Sequence, residues 1–538
     1  MFSFIHKSPI LPAFIHEKYR EENIVNMKAD FVMASRSIFN GYDAKPFEGY
    51  IAVKDGRIIL VGKGTLSEED RRNTENYLDF GDKTITPAFT DVHCFFTGYA
   101  VRYAGVDLSP ATTIDELFSI VVDYADSLPL DKAVLGHGLS KKLISEVNTK
   151  RLEKIFGHRP VILFAQGCET CLMNKAARVM YKFSPETCYP ESYVLLLPII
   201  MSDKNFIVPL FKRYMHMLNR MGVTNVKEMG FDDFFGFTDI LEELNNKKEL
   251  TLRVHFMSQP VSKPMSLEYG KTMRDRFKGE FICFSGFNQM TDGSVSDLCA
   301  DLKEPYLCAD TNCAQEIDWK KIADDARNAD SEGFRFSLHA QGDAAISKVL
   351  DIYESCMLNL DGKLVNRHSI TDLEFSDPSD LERMGKLGVI AEIYPQIQSI
   401  ANRKDKLAMI DEKIGSERGK RYWNRRKMAD SGVTISCGTD LPLLIDNIPE
   451  SIFHAVGGFF PEGGDAFNSQ NMLKCSELLK AWTYGGAYNL GIENEVGTLE
   501  EGKKADFVVF DDNLFNTPIN EIRKRYVEQT YLNGKRVY

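Results

Sequence analysis

From about residue 85 to residue 495, short apolar runs rich in Val, Ile and Phe alternate with longer helical patterns. Strands separated by helices lie parallel, because a parallel neighbour needs a long crossover whereas an antiparallel one needs only a tight turn. The alternation therefore predicts βα units built on a parallel sheet. The strand-like runs are 85–95, 133–138, 160–165, 222–229, 250–257, 281–290, 333–339, 368–374, 388–394 and 434–440. They outnumber the eight strands of a closed barrel, so at least two of them belong to insertions, and periodicity alone does not say which.

The segment Lys28-Ala29-Asp30-Phe31-Val32 is repeated as Lys504-Ala505-Asp506-Phe507-Val508, and each copy opens a β-type stretch. Asp55-Gly56 and Asn533-Gly534 sit where hairpin turns fall in these stretches. Strands at both termini imply one small β domain completed by the two chain ends, with the rest inserted between them.

The 538 residues are 43% hydrophobic and 26% charged, the profile of a packed globular protein. A net charge of −12 without a Lys/Arg-rich cluster excludes a nucleic-acid partner. No run approaches the roughly 20 apolar residues of a membrane span, and Pro9 and Pro12 interrupt the apolar start, which argues against a signal peptide. The 11 cysteines, scattered from Cys94 to Cys475, fit a reducing compartment and a cytoplasmic protein. Cys168 and Cys171 have the two-residue spacing of metal and redox motifs, but no second pair follows, and two half-buried thiols are the simpler reading.

Polar residues stand at the carboxyl ends of several predicted strands: His93, Glu228, His339, Asp372 and Asp440. That end of a parallel barrel carries the active site. Along 334–339, alternation puts His339 on one face with Arg335 and Ser337, away from the apolar residues. His137, between Gly136 and Gly138, either faces a pocket or belongs to a structural turn. Phe95, Phe96, Tyr99 and Tyr103 gather beside His93, a pattern commoner in cores than in ligand cages.

Thr86-Pro87-Ala88-Phe89-Thr90-Asp91-Val92-His93, Leu338-His339-Ala340-Gln341-Gly342-Asp343, Cys437-Gly438-Thr439-Asp440-Leu441-Pro442 and Val496-Gly497-Thr498-Leu499-Glu500-Glu501-Gly502 together resemble the amidohydrolase superfamily, in its YtcJ-like branch, amidohydrolase family 3. The resemblance implies an α/β fold: a distorted (β/α)8 TIM-type barrel over residues 86–495, and a small β-sandwich from 27–85 and 496–538. Residues 1–26 form an extension. It also implies hydrolysis of a non-peptide C–N bond, such as an amide or cyclic amide, by metal-activated water.

The family's ligand pattern survives in part. Phe95 stands where a second histidine belongs, Asn288 where a lysine is carboxylated, Asp372 where a histidine is expected, and Glu169 where a substrate-contacting histidine lies. His93, His339, Asp372 and Asp440 remain as candidate ligands for at most one divalent metal (zinc, manganese or iron), or for none if the site is degenerate. Asp440 and His339 are the candidate catalytic residues, and His137, Glu169 and Asn288 the candidate substrate contacts. Glu228 either replaces the lost bridging ligand or pairs with a base, Lys227 or a barrel arginine. The expected partner is a small-molecule substrate, and a barrel this large suits a homodimer. The alternative is a metal-independent lyase or isomerase, or an inactive ligand-binding member of the same fold.

Overall fold

The computed structural model describes residues 29–147, 149–166, 170–229, 236–260, 263–440 and 447–538. The extension expected at 1–26, Cys168 and Glu169 lie outside these residues.

The described residues begin with β1 (Phe31–Ile38), β2 (Phe47–Lys54), β3 (Arg57–Lys63), β4 (Tyr77–Asp79) and β5 (Thr84–Pro87), and enter the barrel on β6 (Phe89–Cys94). Before the next barrel strand the chain forms a satellite sheet of β7 (Val106–Asp107), β8 (Val134–Leu139), β9 (Val161–Ala165) and β10 (Cys171–Met173). The barrel continues with β11 (Val223–Glu228), β12 (Arg253–Ser258), β13 (Ile282–Met290), β14 (Phe336–Ala340), β15 (Ser369–Asp372), β16 (Ile390–Ile393) and β17 (Thr434–Cys437). After it come β18 (Phe507–Phe510), β19 (Val527–Leu532) and β20 (Lys535–Arg536).

The predicted runs 133–138 and 160–165 are the surplus: they become β8 and β9, which pair with each other and leave eight runs for the barrel. Strand periodicity reports burial but not which sheet a strand joins. The barrel strands are parallel in the order β17-β16-β15-β14-β13-β12-β11-β6. Asp91 draws the first and last strands together. Its buried carboxylate accepts the Thr439 amide at 3.0 Å, the Thr439 hydroxyl at 2.6 Å and the His93 amide at 3.0 Å. Gly438 is required at this junction, since a Cβ there would lie 2.5 Å from the His93 Cβ.

The two chain ends share one eight-stranded sheet in which β18 pairs antiparallel with β5. Both expected hairpin turns form, with positive φ at Asp55 and Gly56 and at Asn533 and Gly534. The two copies of the repeated segment diverge in role. Asp30 accepts the Asp55 amide at 2.7 Å within its own hairpin, whereas Asp506 reaches under the barrel to Arg253. That buried pair is bidentate, at 2.5 and 3.3 Å, and Asp506 also accepts from Thr224 at 3.0 Å and from the Asn533 amide at 2.9 Å. No helix among the described residues is long and apolar enough to cross a membrane.

Glu228 corrects the sequence reading. Successive strand residues face opposite sides, so Lys227 points into the barrel and Glu228 out, toward the element after β6. There Glu228 Oε2 accepts the Phe96 amide at 2.7 Å. The helix Phe96–Arg102 has no side-chain cap from Phe95, and this carboxylate fills that place. Burial pushes the Glu228 carboxyl from its ordinary 4.5 up to about 8, against the pull of the Phe96 and Thr97 amides.

Two outcomes follow from these contacts. Asp506→Ala removes the bidentate, buried partner of Arg253 and leaves it only the half-exposed Glu280 at 3.2 Å as a counter-charge, and should lower stability by about 3 kcal/mol in a urea melt. Glu228 binds its proton more tightly folded than unfolded, so its contribution is whole below pH 4.5 and is lost as pH rises toward about 8. Glu228→Gln should flatten the fall in melting temperature across that window, and identical slopes for the two proteins would refute the assignment.

Candidate active site at the mouth of the barrel

Four of the five residues singled out by their strand-end positions meet at the carboxyl ends of the barrel strands, as two pairs. His93 Nε2 lies 3.6 Å from Asp440 Oδ1, and His339 Nε2 lies 3.0 Å from Asp372 Oδ2. Parallel register sets the second pair, with His339 opposite Thr371 and Ala340 opposite Asp372. The imidazoles are only 7% and 8% exposed. Asp372, Leu373 and Asp440 all have positive φ, at 80°, 56° and 50°. Non-glycine residues hold such backbone only where surrounding structure enforces it, commonly at functional sites.

Each imidazole faces a second carboxylate across its other nitrogen. His93 Nδ1 is 4.0 Å from Glu392 Oε2, and His339 Nδ1 is 4.0 Å from Asp292 Oδ1. Asp292 is fixed by the amides of Gln341 and Asp301 at 2.9 Å and of Gly342 at 2.8 Å. The Gln341 side chain donates to Asp372 at 2.5 Å. Burial works to lower the His339 pKa, but Asp372, Asp292 and Asp440 outweigh it and hold the imidazole above its ordinary 6.5. The Asp440 carboxyl is raised, chiefly by burial and then by Asp372, against the pull of His93 and His339.

Beneath His93 lies a fully buried ion pair, Lys227 with Glu392. Asn489 donates to Glu392 Oε1 at 2.9 Å and to Ser436 at 3.0 Å, and takes a bond from Arg335 at 3.2 Å. Burial pushes the Lys227 amine down to about 8, with Glu392 opposing. Burial raises the Glu392 carboxyl, but Lys227, His93 and Asn489 more than offset it and hold the group well below the usual carboxylate range. The pairing of Glu228 with Lys227 does not form. Glu392, Lys227 and Asp292 were not read as site residues, although a lone acid in Val389-Ile390-Ala391-Glu392-Ile393 and a lone base after Val226 were legible signals.

The Phe95 ring stands 5.4 Å from the His93 ring, and Tyr394 flanks it at 5.2 Å. Asn288 is buried with its amide oxygen unpartnered. Phe96 and Tyr99 turn to the core, packing on Tyr214 at 4.7 and 4.6 Å. His137 belongs to the satellite sheet, with Nδ1 3.3 Å from the Ala104 carbonyl and its ring edge-on to Tyr103 at 5.3 Å. It borders a cavity of about 190 Å³ shared with Arg102, Asp107 and Gln166.

A metal centre was tested against these donors. Phenyl and carboxamide groups at Phe95 and Asn288 do not fit a two-metal group. Among the described residues, no third donor joins either mouth pair within 4.8 Å, so a ready three-ligand site for one ion is not assembled either. Among the described residues one three-donor cluster is present, Asp330, Cys356 and His368, but it lies by the start of β15, at the other end of the barrel. His368 has both nitrogens engaged, accepting the Phe336 amide at 3.0 Å and facing Asp330 at 3.0 Å. That cluster is structural.

Residues 77–538 match the model of the amidohydrolase family. The chain is 22% identical to the putative amidohydrolase YtcJ of Bacillus subtilis (strain 168), covering 91% of this chain and 95% of that protein. It is also 22% identical to the N-substituted formamide deformylase of Arthrobacter pascens, covering 90% and 94%. An uncharacterized metal-dependent hydrolase from Pyrococcus horikoshii OT3 superposes with a TM-score of 0.70 at 20% identity, covering 91% of this chain and 99% of that one. With a family model matched over residues 77–538 of the 538, the chain belongs to the amidohydrolase family.

Proposed function

We propose that the protein is a hydrolase of a small molecule's non-peptide C–N bond, working with at most one divalent ion (zinc, manganese or iron). The observation that carries this reading is the gathering of two imidazole–carboxylate pairs at the barrel mouth. Asp440, whose pKa burial raises, takes a proton from the attacking water and returns it to the leaving nitrogen. His339 stays protonated between Asp372 and Asp292 and opposes the charge that develops on the carbonyl oxygen. The acid and base roles thus fall on the side chains.

The name of the formamide-cleaving relative puts N-substituted formamides first in a substrate panel that also includes cyclic amides and ureas. Asp440→Asn should lower kcat/KM on the best substrate by about 10²–10⁴, and unchanged turnover would reject the assignment. The phenyl ring beside His93 favours one second reading, a member that binds its ligand without turnover. Tight binding of panel compounds with no product would select it.

Metal content is the other test. Elemental mass spectrometry of protein grown with added zinc or manganese should give no more than one ion per chain, and two ions would overturn the proposal. The double variant Phe95→His/Asn288→Lys, which restores two donor positions, should bind more metal than the wild type.

A further inference from the structure

Two buried polar atoms face one another across the barrel interior, and neither has a hydrogen-bond partner: His93 Nδ1 and Glu392 Oε2, 4.0 Å apart. An unmade bond between buried groups is costly, and this one is about 1 Å from closing. The other oxygen of the carboxylate is saturated by Lys227 and by the Asn489 amide, and Asn489 is itself tied to Ser436 and Arg335. Glu392 is therefore held by a lysine from β11 and an asparagine from the helix Gly486–Leu490, with its second oxygen toward the imidazole. The His93 ring plane is pinned in turn by the edge-on rings of Phe95 and Tyr394.

We propose that Glu392, anchored by Lys227 and Asn489, is a positioning residue that accepts the Nδ1 hydrogen of His93 and leaves Nε2 as the nitrogen that exchanges a proton with Asp440. The inference rests on the hydrolase reading only for its catalytic consequence. Lys227 neutralises Glu392, so the carboxylate can remain ionised in the barrel interior and act as a permanent acceptor. Without that acceptor either tautomer of His93 would be open, and only one leaves Nε2 bare toward Asp440.

The tautomer can be read directly on the full-length protein. With ¹⁵N-labelled histidine at mildly alkaline pH, the His93 signals are those lost in His93→Gln, and protonated and bare ring nitrogens have well-separated shifts. The wild type should show a protonated Nδ1 and a bare Nε2. In Glu392→Gln the carbonyl of the new amide stays with the donors Lys227 and Asn489, which turns its NH₂ group toward His93, so the pattern should invert. The double variant Lys227→Met/Glu392→Gln removes both charges together, and should invert likewise should the single variant fail to fold. A protonated Nε2 in the wild type, or an unchanged pattern in the variants, overturns the proposal.

On any amide the wild type turns over, Glu392→Gln should lower kcat about tenfold or more while KM stays within about twofold, as expected when orientation rather than binding is lost. The shifts are read without substrate, so the two readings fail separately. A wild type with the expected tautomer but no turnover sinks the hydrolase reading alone, and turnover with an unaltered tautomer in Glu392→Gln sinks the positioning role alone.

Discussion

The carboxylate of Asp91 does two jobs at once. By accepting both the amide and the hydroxyl of Thr439 it joins the last barrel strand to the first, and by accepting the His93 amide it fixes the backbone of the first candidate site residue. One further hydrogen bond, from the Asp440 amide to the His93 carbonyl at 2.7 Å, completes the junction. His93 and Asp440 stand more than three hundred residues apart in the chain, yet their separation in space is set by this short set of bonds. Burial pushes the Asp91 carboxyl up to about 6 even with three donors around it, so the closure is sensitive to any loss of those donors.

Above that junction the site has an electrostatic logic of its own. At the carboxyl ends of the strands, two positions where the family resemblance implies metal donors carry a phenyl ring and a carboxamide, Phe95 and Asn288. Buried basic groups face carboxylates here: Lys227 pairs with Glu392, and the His339 imidazole, whose affinity for a proton the surrounding acids raise, lies between Asp372 and Asp292. The left-handed backbone at Asp372 and Asp440 belongs to the same economy, since it aims acids inward from the points where strands give way to loops.

Much of this was legible before any coordinates. The βα alternation specified a parallel sheet, the family resemblance closed it into a barrel, the repeated segment pointed to a sheet shared by both ends, and strand-end positions picked out His93, His339, Asp372 and Asp440. What escaped was of two kinds. Runs 133–138 and 160–165 look like barrel strands because satellite strands bury the same apolar faces. Glu392, Lys227 and Asp292 escaped because a charge inside a strand acquires meaning only from its partner across the barrel, and that partner lies on another strand. For Glu228 the sequence leaves a bridging ligand and a pairing with a base open, and the two-residue period of the strand, which turns it away from Lys227, excludes pairing with that neighbour.

The pairing of β5 with β18 ties a strand near the start of the barrel to one that follows it, so most of the chain separates two hydrogen-bonded neighbours. Loop closure over such a span is slow, and contacts of this range form after local ones. The end sheet is thus a late arrival in folding. Until it docks, Arg253 has no Asp506, and the underside of the barrel stays exposed to proteases and chaperones.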